Sequence, residues 1–137
     1  MQDYILEICA DSAESAIAAE KGGATRLELC QNLIIGGTTP GPKLFEIVRH
    51  AVEIPVHVLI RPRFGDFCYS DYEMEQIKEE IKMFRELGAD GVVIGVLSPD
   101  GSIDRERMER LLEERGDMSV TLHRAFDVCR DPLKSLQ

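Results

Sequence analysis

The sequence predicts an α/β fold, an incomplete (β/α) barrel of about five parallel strands alternating with helices. Three observations predict it. Short β-branched or apolar runs alternate along the chain with longer amphipathic stretches, and strands joined by such crossovers pair in parallel. Each apolar run has one wholly aliphatic face and one mixed face. A barrel with helices only on its outside asks for that pattern, whereas a doubly wound sheet is covered on both faces and reads as hydrophobic on both. The third observation is length: 137 residues are too few for eight units, which take about 250. No linker or low-complexity segment breaks the alternation, so residues 1–137 read as a single domain, the N-terminal part of a barrel.

The elements follow in order. A first strand covers 4–9. Asp11 then opens a helix, with Glu14 as its capping-box partner and Gly22-Gly23 as the stop. A second strand over 26–30 leads into the turn-rich loop Gly36-Gly-Thr-Thr-Pro-Gly41, and a helix follows over about 42–52. The third strand, 56–61, is followed by a long loop to Ser70. Ser70 with Glu73 is a capping box, and Tyr72, Ile77, Ile81, Phe84 and Leu87 form the apolar stripe of a helix that ends at Gly88. The fourth strand is 91–96. Pro99-Asp-Gly101 turns the chain, Asp104 caps a helix through Glu114, and Gly116 closes it. The fifth strand is 119–123, and Asp131 followed by Pro132 marks the cap and first position of a fifth helix.

Alternation along each strand sorts the residues by face. Leu6, Ile8, Leu27, Leu29, Val56, Val58, Ile60, Val92, Ile94, Val96, Val120 and Leu122 make the aliphatic side. The other side carries Glu7, Cys9, Arg26, Glu28, Cys30, His57, Arg61 and His123. Charged residues continue into the loops after the third and fifth strands, as Arg61-Pro-Arg63-Phe-Gly-Asp66 and His123-Arg-Ala-Phe-Asp127. Barrel enzymes keep their catalytic groups at these strand C-termini. The alternative is a set of ion pairs that tie the loops to the barrel mouth.

Composition narrows the function. The net charge of −9, from 16 basic and 25 acidic residues, argues against nucleic acid or an anionic membrane as partner, since both are held by basic patches. The longest uncharged apolar run, Gly91 to Leu97, is far short of the roughly 20 residues that span a bilayer. Asp3 and Glu7 sit where a signal peptide needs a basic and then an apolar segment. The four cysteines, Cys9, Cys30, Cys68 and Cys129, form no C-x-x-C pair, and reduced thiols in the cytoplasm are the expectation. Leu6-Glu-Ile-Cys9 recurs as Leu27-Glu-Leu-Cys30 one βα unit later, so successive strands carry the same chemistry at equivalent ends.

Those two motifs, Gly36-Gly-Thr-Thr-Pro40, Ile54-Pro-Val-His-Val58, Ile60-Arg-Pro-Arg63, Gly65-Asp-Phe67, Tyr69-Ser-Asp71, Leu87-Gly-Ala-Asp-Gly91, Ser98-Pro-Asp-Gly101 and Thr121-Leu-His-Arg-Ala-Phe-Asp127 resemble the CutC family. The match runs over about 4–133. The resemblance implies a TIM-barrel-like fold and a cytoplasmic protein of copper homeostasis with copper as its ligand. It also implies further βα units that close the barrel. Their absence from these 137 residues makes a truncated form, or a sheet closed against another copy, the expectation.

Three functional readings follow. Copper(I) prefers thiolate and imidazole ligands, and Cys9 and Cys30 are the candidate metal ligands at neighbouring strand ends. Barrel stagger opposes the pairing, and Cys68 and Cys129 could approach the same mouth. The second reading is an enzyme, a lyase, isomerase or hydrolase acting on a small anionic metabolite. Its candidate residues are Glu7, Glu28, Arg61, Arg63, Asp66, His123, Arg124 and Asp127, the carboxylates and His to move protons and the Arg to bind the anion. The third is a barrel fragment that self-associates as a homo-oligomer through its open strand edges.

Overall fold

A computed structural model describes residues 4–137. The strands are β1 (Glu7–Ala10), β2 (Arg26–Leu29), β3 (Val56–Leu59), β4 (Gly91–Ile94) and β5 (Ser119–Leu122). The helices are α1 (Ala13–Lys21), α2 (Pro42–Ala51), α3 (Asp71–Leu87), α4 (Arg105–Leu112) and α5 (Pro132–Ser135), with short 3-10 turns at Leu33–Ile35 and Arg124–Val128. All four strand pairings are parallel, in the order β1-β2-β3-β4-β5. The five βα units therefore form an open sheet, as the alternation predicts, and β1 and β5 each have one edge without a strand partner among the described residues. Among the described residues no helix is long and apolar enough to cross a membrane.

Register explains how the faces separate. Leu29, Val58, Val92 and Val120 lie in one row across β2 to β5, and they join Phe45, Val48, Ile77, Ile81 and Phe84 of the helices in the main core. Phe84 meets Phe45 edge-on, with ring centroids 5.5 Å apart. Each such buried aromatic adds about 1.5–3 kcal/mol of transfer energy. The opposite row runs Cys9, Glu28, His57, Gly91, Ser119. On that side the buried apolar cluster among the described residues is Cys30, Leu59 and Val93, with Leu33 packed against it.

The helix ends follow local chemistry. Ser70 and Glu73 form the predicted capping box, each side chain accepting the other's backbone N–H, and Gly88 ends α3 at φ +91. At α1 the cap is Ser12, whose hydroxyl accepts from Ser15 N–H, so the predicted Asp11–Glu14 box does not form. Tyr72 is 92% exposed and leaves the predicted apolar stripe. Met74, two positions on, packs against the core instead. The aliphatic face is also not covered throughout: Leu6 and Ile8 at β1 and Leu122 at β5 are exposed, because an edge strand has a neighbouring βα unit on one side only.

Candidate functional site

The inner face of the sheet is a concavity of about 660 Å³, lined among others by Cys9, Glu28, Cys30, Leu59, Arg61, Phe67, Val93, His123, Arg124 and Asp127. It holds two chemically different clusters, one of thiols and one of guanidinium groups.

The first cluster lies at β1 and β2. Cys9 faces Glu28 in the register, and Cys30 follows two residues further along the same side of β2. Stagger thus places the carboxylate between the thiols without separating them: one ligand atom from each of Cys9, Glu28 and Cys30 lies within 4.8 Å of the others. The Glu28 carboxylate accepts from Cys9 Sγ at 3.8 Å and from Cys30 Sγ at 3.7 Å. Hydrogen bonding from Cys30 holds the Cys9 thiol below its ordinary pKa. The same bond, together with burial, pushes the Cys30 thiol up. Burial, with the charge of Glu7 nearby, also raises Glu28. The three acids therefore compete for charge, and of the two thiols Cys9 is the readier to become a thiolate.

The second cluster lies at the C-terminal rim, built from the loops after β2, β3 and β5. Thr39 holds the end of β3 from both sides: its N–H donates to the Arg61 carbonyl, and its hydroxyl accepts from Arg61 N–H. The Arg61 side chain is 3% exposed. It donates to the carbonyls of Gly37 at 3.0 Å and Gly65 at 2.8 Å, lies over the Phe67 ring, and leaves Nε without an acceptor. Arg124 reaches from beyond β5 to the Gly36 carbonyl at 3.3 Å. His123 packs on Phe67, and its Nδ1 accepts from Ala125 N–H, so the proton sits on Nε2, which has no acceptor. Burial, and then the charges of Arg61 and Arg124, lower His123 to about 4. It is neutral at pH 7. Its ring lies directly over Gly95, where a Cβ would come within 2.5 Å of it.

A match to the CutC family extends over residues 4–137. The chain belongs to the CutC family. The copper homeostasis protein cutC homologs of Mus musculus and Homo sapiens are each 48% identical over 134 residues, which is 98% of this chain and 49% of theirs. A CutC family protein of Porphyromonas gingivalis is 51% identical over 132 residues, 96% of this chain and 53% of its own. The chain spans about half the length of the curated relatives it matches. The crystal structure of a CutC protein from Streptococcus agalactiae superposes with a TM-score of 0.90 at 37% identity, covering 97% of this chain and 66% of that one. Family and TIM-barrel-like fold thus agree with the expectation from sequence.

In this CutC chain the eight residues predicted as one acid–base set divide among separate places. Glu28, Arg61, His123, Arg124 and Asp127 line the concavity. Glu7 does not; it is paired with Arg26 nearer the N-terminal ends of the strands. Arg63 and Asp66 are bound up with Glu73 in the loop before α3: Arg63 meets Glu73 at 2.6 Å and Asp66 at 3.1 Å, and it donates to the carbonyls of Phe64, Asp66 and Cys68. These two are loop braces. Cys68 caps that loop through its N–H to Asp66, and Cys129 is buried in the helix-side core, so neither joins Cys9 and Cys30. The sequence reading missed Gly36 and Phe67 as members of the rim. Gly36 read as part of a turn-rich loop, and Phe67 stood in the Gly65-Asp-Phe67 motif with no role assigned.

Proposed function

We propose that this chain takes part in copper homeostasis by binding copper(I) through Cys9 and Cys30. The observation that carries the reading is the approach of the two sulfurs and the Glu28 carboxylate within 4.8 Å. Two metal–thiolate bonds of about 2.3 Å laid end to end span about 4.6 Å, so the pair suits one soft ion held by two thiolates. Cys9 supplies the readier thiolate. The Cys30 proton must leave when the ion arrives, and Glu28, 3.7 Å away, is placed to receive it. The names of the mouse and human relatives support copper as the cargo.

The test is loading with Cu(I) under reducing conditions. Near-stoichiometric binding is expected, and Cys9→Ser with Cys30→Ser should remove most of it. Unchanged loading in that double variant would overturn the reading. The four free thiols fit a reducing, cytoplasmic location, which fractionation of cells expressing the tagged chain would check.

A second reading, self-association, rests on a separate observation. The edges of β1 and β5 are open, with Leu6, Ile8 and Leu122 exposed beside them, and open edges recruit strands. A homo-oligomer by light scattering at micromolar protein supports it, and a stable monomer rejects it.

A further inference from the structure

The C-terminal rim holds two guanidinium groups that no carboxylate answers. Eleven ion pairs occur among the described residues, and neither Arg61 nor Arg124 is in any of them. Asp127 lines the same concavity without pairing to either. Burying an arginine without a counter-ion opposes folding unless something else requires it. Two further features suit the rim to an anion. Gly36, at φ +94, lets both arginines converge: a Cβ there would lie 2.0 Å from Arg124 Nη2 and 3.2 Å from Arg61 Nη1. Two buried polar atoms, Arg61 Nε and His123 Nε2, have no partner.

We propose that this rim binds the dianionic phosphate of a small phosphate monoester, held between Arg61 and Arg124 with His123 Nε2–H as a neutral donor. The charge decides the class. Two guanidinium groups match a dianion, whereas a monocarboxylate would leave one of them unanswered. Arg124 is exposed and held by a single 3.3 Å bond, so it can turn onto the ligand. Leu59, Val93 and Phe126 line the same concavity and offer an apolar surface to the organic part. (β/α) barrels commonly hold phosphate after the seventh and eighth strands; here the groups stand after β2, β3 and β5. The proposal uses no thiol and so goes beyond the copper reading.

Calorimetric titration of the intact chain with inorganic phosphate and with glycerol 2-phosphate tests it, in an oxyanion-free buffer with acetate as control. Saturable binding of both phosphates is expected, well above acetate. Arg124→Ala should weaken it at least about tenfold, and Arg61→Lys, which keeps the charge but loses the fork, should weaken it too. Arg110→Ala on the surface of α4 should leave it unchanged. A far-ultraviolet spectrum and melting curve for each variant establish that it is folded. No saturable binding of either phosphate, unaltered affinity in Arg124→Ala, or acetate binding as tightly would each overturn the proposal. The Cys9→Ser, Cys30→Ser double variant should still bind phosphate, so the two readings can fail independently.

Discussion

On the helix side of the sheet, Phe45, Val48, Ile77, Ile81 and Phe84 close a continuous apolar core over Leu29, Val58 and Val92. On the inner side the same three strands present His57, Glu28 and Arg61 around an apolar patch of Cys30, Leu59 and Val93. Among the described residues, three of the four buried side-chain polar atoms without partners, His57 Nδ1, Arg61 Nε and His123 Nε2, belong to the inner face. One side therefore supplies stability, and the other gives some of it up to keep charge and hydrogen-bonding capacity unspent.

The largest test of that contrast is Phe84→Ala, which should lower unfolding free energy by about 3–5 kcal/mol in urea titrations. Leu59→Ala on the inner side should lower it by roughly half as much, since Leu59 borders open space. Equal losses would break the comparison. Next comes pH. His123 has a folded-state value of about 4 against 6.5 for the free side chain. The unfolded chain therefore binds more protons between those values, so stability is full above 6.5 and is lost as pH falls toward 4. After allowance for partial exposure this amounts to about 2 kcal/mol, and His123→Asn should flatten that part of the stability profile.

Smaller effects sharpen the comparison. Arg63→Ala, which breaks the brace to Glu73 and Asp66, should destabilise by roughly 1–2 kcal/mol. Arg61→Met should change stability by less, within about 1 kcal/mol, because the lost bonds to Gly37 and Gly65 are offset by removal of an unanswered buried charge. The smallest effect is expected for Glu28→Gln. Its folded-state pKa is raised, so stability falls as pH rises from 4.5 through the folded value. At pH 7 the amide should be neutral to slightly stabilising, by under about 1 kcal/mol. A clear loss would show that the Glu28 charge is anchored structurally.

Much of the fold was legible because it rests on local periodicity. Period-2 alternation assigned Leu29, Val58 and Val92 to one side and Glu28, His57 and Arg61 to the other, and the Ser70–Glu73 spacing located α3. Where two neighbours had the same competence, sequence could not choose between them. Asp11 and Ser12 can both cap a helix, and Tyr72 and Met74 can both occupy an apolar stripe; packing selected the second of each. The site shows the same limit more sharply. Arg61 and Arg63 are identical residues two positions apart, yet one is answered by two carboxylates and the other by none. That difference depends on how the loop to Ser70 folds back on α3. Cys9 and Cys30 were found because they end a repeated motif. The convergence of Gly36 with Arg61 and Arg124 spans 88 residues and had no local signal.

Gly91, which begins β4, and Gly95, just beyond its end, have a consequence for how this surface can vary. His57 lies over Gly91 and His123 over Gly95, and a methyl group at either position would come within 2.7 Å of the ring above it. The imidazoles are seated in hollows made by missing side chains. Even alanine at 95 would have to lift the His123 ring off the strand and into the ligand space, whereas alanine at 91 would displace His57, which lies nearer the N-terminal ends of the strands. In a saturation screen scored for ligand binding, position 95 should therefore be as intolerant as the arginines, although it has no side chain with which to touch a ligand.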